Sequence, residues 1–114
     1  MKKVTVFILV ALLATCSIAY AHPPSDIMIT YDKATKILHA VIMHSTSNPQ
    51  NHYIKKVDIA INGKEVIEHY ISREDNNISQ TVSYFIPDVD AHDKLSVEAY
   101  CSISGKLEKQ IEVE

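Results

Sequence analysis

The chain has only two glycines and two cysteines in 114 residues, and each shortage excludes a class of function. With so few glycines there is no Gly-rich loop that could hold a phosphate group. No arrangement of serine, histidine and an acidic residue stands out as a catalytic triad. Two cysteines cannot supply the disulfide framework on which small exported domains often depend. Repeats, low-complexity tracts and linkers are also absent, which indicates a single domain after the N-terminal segment.

The longest apolar stretch lies at the N-terminus and has the features of a secretory signal peptide. Lys2 and Lys3 precede an uncharged apolar run, and Ala19-Tyr20-Ala21 provides the small residues of a cleavage site. We predict cleavage after Ala21, export to the periplasm or the cell exterior, and a mature domain of residues 22–114. A stable membrane span is the competing interpretation, but the run is short for about 30 Å of hydrocarbon. Lipid attachment at Cys16 is a further alternative.

Positive charge is scarce in the predicted mature domain. The whole sequence has 11 basic and 14 acidic residues, and loss of the two signal-peptide lysines leaves nine basic residues and a net charge of about −5. Such a surface does not suit nucleic acid or anionic lipid. The acidic residues are spread over predicted strand faces and turns, including a charged loop at residues 73–77, which indicates a solvated surface.

Apolar and polar residues alternate along most of the mature domain, with the period of two that is typical of strands with one buried face. Asn62-Gly63 is the strongest turn signal, because both residues tolerate the positive φ that a type I′ hairpin requires. The pattern contains no helical stretch and predicts an immunoglobulin-like antiparallel β-sandwich of seven strands. The predicted strands are residues 27–31, 36–44, 53–61, 64–71, 78–86, 95–101 and 107–113.

His44, His52 and Cys101 each stand where a strand pattern meets a loop. Two imidazoles and a thiol are ligands that transition metals prefer, so these three residues are candidates for a metal site. Cleavage would remove Cys16 and leave Cys101 without a disulfide partner, and metal ligation protects a thiolate from oxidation. The alternative for Cys101 is burial as a small hydrophobic side chain, since it continues the apolar alternation of its strand. His69 and His92 lie among charged neighbours, and either could add a ligand if the fold brings it close.

The segment from His52 to Ile59, His-Tyr-Ile-Lys-Lys-Val-Asp-Ile, is similar to the His-Tyr-Ile-x-x-Ile-Glu-Leu segment of the superoxide reductase family. This family is the iron domain also found in desulfoferrodoxin and neelaredoxin. His44 resembles the histidine that the family places a short loop upstream. Cys101-Ser102-Ile103-Ser104-Gly105 resembles the family's Cys-x-x-His-Gly segment, and His22-Pro23-Pro24 resembles its N-terminal His-x-Pro element.

The resemblance spans most of the mature domain and implies a mononuclear non-haem iron with four equatorial histidines and one axial cysteine. It implies His22, His44, His52 and Cys101 as iron ligands, and a sixth position that is free for superoxide. The implied reaction is the one-electron reduction of superoxide to peroxide, with an electron donor that the sequence does not identify and no organic cofactor. Lys55 or Lys56 would supply positive potential for the anionic substrate.

Two departures from the family pattern bear on the site. Ser104 stands where the last histidine ligand belongs, and Ala21 stands where the family has a lysine before its first histidine. Cleavage after Ala21 would give His22 a free α-amine, and our hypothesis is that its ring and amine both bind the metal and restore five donors. Two other classes stay open: a copper- or zinc-binding carrier without turnover, and a metal-free β-sandwich interaction module with Cys101 in its core.

Overall fold

The structure is a computed structural model that describes residues 22–114, and that part of the chain contains seven β-strands and no helix. The strands are β1 (Asp26–Asp32), β2 (Ile37–Met43), β3 (Ile54–Ile61), β4 (Lys64–Tyr70), β5 (Ser79–Phe85), β6 (Lys94–Cys101) and β7 (Lys106–Glu112). The predicted signal peptide, its cleavage site and Cys16 lie outside the described residues. Nothing within residues 22–114 forms a helix of the length and apolarity that crossing a membrane requires.

The strands form two antiparallel sheets, one of three strands in the order β1-β2-β5 and one of four in the order β4-β3-β6-β7. The seven-stranded immunoglobulin-like sandwich predicted from the alternation is confirmed. In the constant-type immunoglobulin arrangement the fourth strand belongs to the other sheet. Here β4 pairs with β3, because the two-residue turn that joins them returns the chain directly onto its neighbour.

The β3–β4 hairpin has the predicted turn. Asn62 has φ of 50° and Gly63 has φ of 83°, and both values lie in the left-handed region that the type I′ turn uses. The strand ends differ slightly from the prediction. Tyr53 lies in the loop before β3, and Ile71 lies just after β4.

The core lies between the sheets and is built from the alternate residues that face inward. In β2, Leu38, Ala40 and Ile42 are fully buried, whereas Ile37 and His39 are exposed. The buried cluster consists of Ile27, Leu38, Ala40, Ile42, Ile54, Val57, Ile59, Val82, Ile86, Leu95, Val97, Ala99 and Val113. Cys101 continues the inward row of β6 at the end of that strand and is also buried.

The strand ends that carry the predicted ligands are set by the pairing register. Met43, the last residue of β2, pairs with Asp26 at the start of β1 and with Ser79 at the start of β5. In the other sheet, Ile54 at the start of β3 pairs with Cys101 at the end of β6. The loop between β2 and β3 connects the two sheets. His44 is its first residue, and His52 lies two residues before β3.

Candidate metal centre

His44 is fixed by backbone hydrogen bonds that continue the β2–β5 pairing past the end of β2. Its N–H donates to the carbonyl of Ile78 at 2.9 Å, and the N–H of Thr46 donates to the carbonyl of Asn77 at 2.9 Å. The His44 side chain is fully buried. These two bonds hold the backbone of His44 and Thr46 against the segment before β5, and the buried His44 ring is thereby fixed at the end of the core.

His52 is placed by a compact turn that begins at Asn48. The carbonyl of Asn48 accepts from the N–H of Asn51 at 3.1 Å and from the N–H of His52 at 2.9 Å. The Thr46 hydroxyl oxygen in turn accepts from the N–H of Asn48 at 3.1 Å. Asn48-Pro49 is the polar loop signal of the sequence, and its turn brings His52 back to the start of β3.

Cys101 is held by a tight loop and by a link to the loop before β3. Its N–H donates to the carbonyl of Gly105 at 3.0 Å, and Gly105 has a positive φ of 84°. The N–H of Ser102 donates to the carbonyl of Tyr53 at 2.8 Å, and the Ser102 hydroxyl oxygen accepts from the N–H of Tyr53 at 3.0 Å. These bonds fix the thiol beside the segment that carries His52.

The structure brings His44, His52 and Cys101 together. Each offers one ligand atom, and these atoms lie within 4.8 Å of one another. Metal–ligand bonds of about 2.0–2.3 Å put two ligands of one ion at most about 4.6 Å apart, so a shared ion fits this spacing after small adjustments. The Nε2 atoms of His44 and His52 are buried and have no hydrogen-bond partner. A metal ion is a group that would satisfy both nitrogens.

His22 stands beside this set but outside it. Its ring centroid is 5.2 Å from that of His44 and 5.3 Å from that of His52, while the latter two are 4.7 Å apart. The His22 side chain is exposed, and its Nδ1 lies 3.2 Å from the carbonyl oxygen of Pro23. Pro23 packs on Gly105, where a β-carbon would come within 2.9 Å of the proline Cβ. The N-terminal segment that carries His22 and Pro23 therefore packs against the loop that follows Cys101.

Glu74 is the functional residue that the sequence analysis missed. We expected the charged loop at residues 73–77 to be solvated, and for Glu74 this was wrong, since the residue is only 3% exposed. Its Oε1 accepts from Nδ1 of His44 at 2.6 Å and from the N–H of Ile54 at 3.3 Å. Nothing in the local sequence separates Glu74 from Arg73 and Asp75, because its burial depends on a loop that meets it only in the folded chain.

The electrostatics around His52 favour its neutral imidazole, which is the form that binds metals. Burial, followed by the neighbouring His44 and His22 rings, lowers the pKa of His52 below its ordinary value. Burial raises the pKa of Glu74, against the opposing hydrogen bonds from His44 and Ile54. With Nδ1 of His44 engaged by the Glu74 carboxylate, Nε2 is the ring nitrogen that is left to bind a metal.

Three other residues singled out in the sequence, Lys55, Lys56 and Ser104, do not belong to this donor set. Lys56 forms an ion pair with Asp58 at 3.3 Å and lies 4.3 Å from the ring centroid of Tyr100, so its charge is engaged on the outer face of β3. Lys55 is exposed, and its role stays a prediction. Ser104 is exposed in the loop after Cys101.

Neither candidate for a replacement histidine belongs to the donor set. His69 Nδ1 hydrogen-bonds with the hydroxyl of Tyr84 at 2.8 Å. His92 precedes β6, whereas Cys101 ends that strand. At about 3.3 Å per residue, the eight residues of β6 separate the two by more than 20 Å.

Comparison with protein families and with curated proteins gives no match for this sequence. Among solved structures, the chain is similar to the crystal structure of hypothetical protein PH1083 from Pyrococcus horikoshii OT3, with a TM-score of 0.56 and 15% identity. The alignment covers 86% of this chain and 94% of that chain. At this identity the likeness shows the shared fold.

Proposed function

We propose that the mature domain is an exported mononuclear iron protein that reduces superoxide, in the manner of the superoxide reductase family that its sequence resembles. His44, His52 and Cys101 would hold the iron, and His22 would add a further ligand from the rim. The observation that carries the proposal is the donor set itself. Three ligand atoms lie within 4.8 Å of one another, and Nε2 of each of the two histidines is buried without a hydrogen-bond partner.

The chemistry of the donor set supports iron. Imidazole suits iron among the first-row metals, and a thiolate ligand raises electron density at the metal. Fe(II) held there would supply one electron to superoxide, which takes up two protons from water to give hydrogen peroxide. An external reductant must restore the electron after each turnover.

The residues around the donor set have separate tasks in this proposal. The hydrogen bond from His44 to Glu74 orients one ligand ring. The lowered pKa of His52, caused mainly by burial, favours the neutral form of the second ring, which is the form that binds metal. His22 is exposed and its ring lies beside those of His44 and His52, so a small anion would approach the proposed site past this residue.

A metal-free interaction module is less well supported. It gives no reason for two buried imidazole nitrogens without a protein hydrogen-bond partner to lie beside a buried thiol. A purely structural role also gives no reason for the buried Glu74 that contacts one of these rings.

The test is the metal content and the superoxide-removing activity of protein purified from its own compartment. We expect about one iron per chain and catalytic removal of superoxide by the iron-loaded protein in the presence of a reductant. His52→Ala should lower the iron content at least tenfold, whereas His92→Ala, far from the site, should retain it. Equal losses in the two variants, or protein without any metal, would refute the proposal.

A copper- or zinc-binding carrier is the second candidate, and one observation favours it. Ser104 stands in place of a histidine, so the side chains at the site offer three imidazoles and one thiol. Four such donors match the closed tetrahedral set of structural zinc sites. A carrier would be purified with zinc or copper and would not remove superoxide after loading with iron.

A further inference from the structure

We propose that Glu74 is a positioning residue that tunes the metal centre: its carboxylate fixes the metal-binding tautomer of His44 and strengthens that ring as a donor. The inference rests on the metal-binding part of the proposed function and is independent of superoxide turnover. It concerns a residue that matches no motif of the resembled family in this sequence and that lies 30 positions from His44.

The position of Glu74 is difficult to explain by stability alone. A carboxylate that is 3% exposed loses most of its hydration, and its Oε2 is buried without a hydrogen-bond partner. Replacing buried ionic groups by apolar ones of similar volume is often neutral or stabilising. A cation bound at His44 Nε2 would offset the desolvation of the carboxylate, because the negative charge acts on the metal through the polarised ring.

The hydrogen-bond geometry is that of a metal–histidine–carboxylate triad. His44 Nδ1 and Glu74 Oε1 are 2.6 Å apart, and the N–H of Ile54 at 3.3 Å holds the same oxygen in place. The N–H of Glu74 donates to the carbonyl of Pro49 at 3.0 Å, which anchors its loop against the loop that leads to His52. Loss of such a partner typically weakens metal binding by about 10–100-fold.

The charge of Glu74 has a further consequence for a redox-active metal. A negative charge that acts through a ligand ring stabilises the more positive oxidation state, so it lowers the reduction potential. Glu74→Gln retains an oxygen that can accept from His44 but removes the charge. This substitution therefore separates the effect of the hydrogen bond from the effect of the charge.

A cavity beside Glu74 allows a direct test by chemical rescue. It has a volume of about 590 Å³ and is lined by Ser47, Asn48, Pro49, Gln50, Arg73, Glu74 and Asp75. Truncation of Glu74 to alanine would open space between this cavity and His44. Acetate is small enough to enter and to accept the hydrogen bond from His44 Nδ1.

The experiment measures cobalt(II) binding to the metal-free mature domain and the potential of the iron-loaded domain. Glu74→Ala should bind cobalt about 10–100-fold more weakly than wild type, and millimolar acetate should restore most of the loss. Glu74→Gln should bind cobalt with less than a tenfold loss but should show a higher iron reduction potential. Wild type with acetate controls for direct binding of acetate to cobalt.

Asp75→Asn is the matched control for the loop. Asp75 lines the same cavity, but its carboxylate accepts from the N–H of Thr81 at 2.9 Å and not from His44. This variant should keep the cobalt affinity and the potential of wild type.

Three results would overturn the inference. The first is wild-type cobalt affinity in Glu74→Ala, and the second is an equal loss in Asp75→Asn that acetate does not restore. The third is an unchanged potential in Glu74→Gln, which removes the tuning role even if Glu74→Ala fails to fold. Failure of wild type to bind metal would instead refute the metal centre, and metal binding without superoxide removal would refute only the proposed turnover.

Discussion

At the scale of single residues, the informative feature is a pair of buried imidazole nitrogens without protein hydrogen-bond partners beside a buried thiol. His44 and His52 present buried, unpaired nitrogens next to the buried Cys101. Native proteins pair nearly all buried polar groups, so unpaired atoms that converge on one point are informative. The Glu74 carboxylate contacts Nδ1 of His44, and in our proposal this contact fixes the tautomer of that ring.

Cys101 supplies the clearest spectroscopic prediction. In the iron-loaded protein, Cys101→Ser should abolish the visible thiolate-to-iron charge-transfer band, because the serine hydroxyl cannot replace the thiolate electronically. The domain should stay folded, since serine is nearly isosteric and Cys101 lies at a strand end. Absorption and circular dichroism spectra of the two proteins measure both effects. An unchanged visible spectrum would argue against Cys101 as a metal ligand.

His52 gives a prediction for the pH dependence of stability in the metal-free protein. Its pKa is lower in the folded chain than the ordinary value of 6.5, so the unfolded state binds more protons as the pH falls below that value. Stability should therefore be fully present above about pH 6.5 and decrease as the solution becomes more acidic. Urea unfolding between pH 5 and 7.5 should show a weaker decrease in His52→Gln than in wild type.

His92→Gln is the control for the pH experiment, because the His92 side chain is 81% exposed and lies away from the cluster. This variant should reproduce the wild-type pH dependence. If His52→Gln has the same pH dependence as wild type, the burial of His52 does not govern acid stability.

At the scale of elements, the strands could be predicted because their signal is local. The alternation of Leu38, Ala40 and Ile42 with exposed residues specified the buried face of β2, and Asn62-Gly63 specified the β3–β4 hairpin. The placement of Glu74 could not be predicted in this way. It depends on the contact between its loop and Pro49, which are 25 residues apart in the sequence.

The two glycines provide a matched pair of predictions at this scale. Gly63 and Gly105 have φ values of 83° and 84°, so an alanine at either position carries a similar backbone penalty of about 1–2 kcal/mol. A β-carbon at Gly63 meets nothing within 4 Å, whereas one at Gly105 collides with Pro23. Both variants should lose stability in urea unfolding, and Gly105→Ala should lose more because of the added collision with Pro23. Only Gly105→Ala should weaken metal binding, because it displaces the segment that carries His22.

Equal metal affinities in the two glycine variants would contradict this account of the N-terminal segment. They would mean that the contact between Pro23 and Gly105 does not position His22, or that His22 is not a ligand. His22→Ala distinguishes these explanations, because its metal affinity reports the ligand role directly.

At the scale of the whole molecule, the predicted cleavage after Ala21 would determine how many donors the proposed site has. Cleavage after Ala21 would leave the α-amine on the residue whose ring already stands beside His44 and His52. We expect the intact mass of the exported protein to correspond to residues 22–114. A mature chain that starts before residue 22 would remove the amine from the proposed ligands and keep the His22 ring, and one that starts after residue 22 would remove both.

We propose above all that the side chains of His44 and His52, from the β2–β3 loop, and of Cys101, from the end of β6, bind one metal ion. A crystal structure of the iron-loaded mature protein, with anomalous diffraction recorded at the iron absorption edge, tests it most directly. The account predicts a single anomalous peak within about 2.0–2.5 Å of His44 Nε2, His52 Nε2 and Cys101 Sγ. A peak at another position, or none at all in protein shown to contain iron, would contradict it.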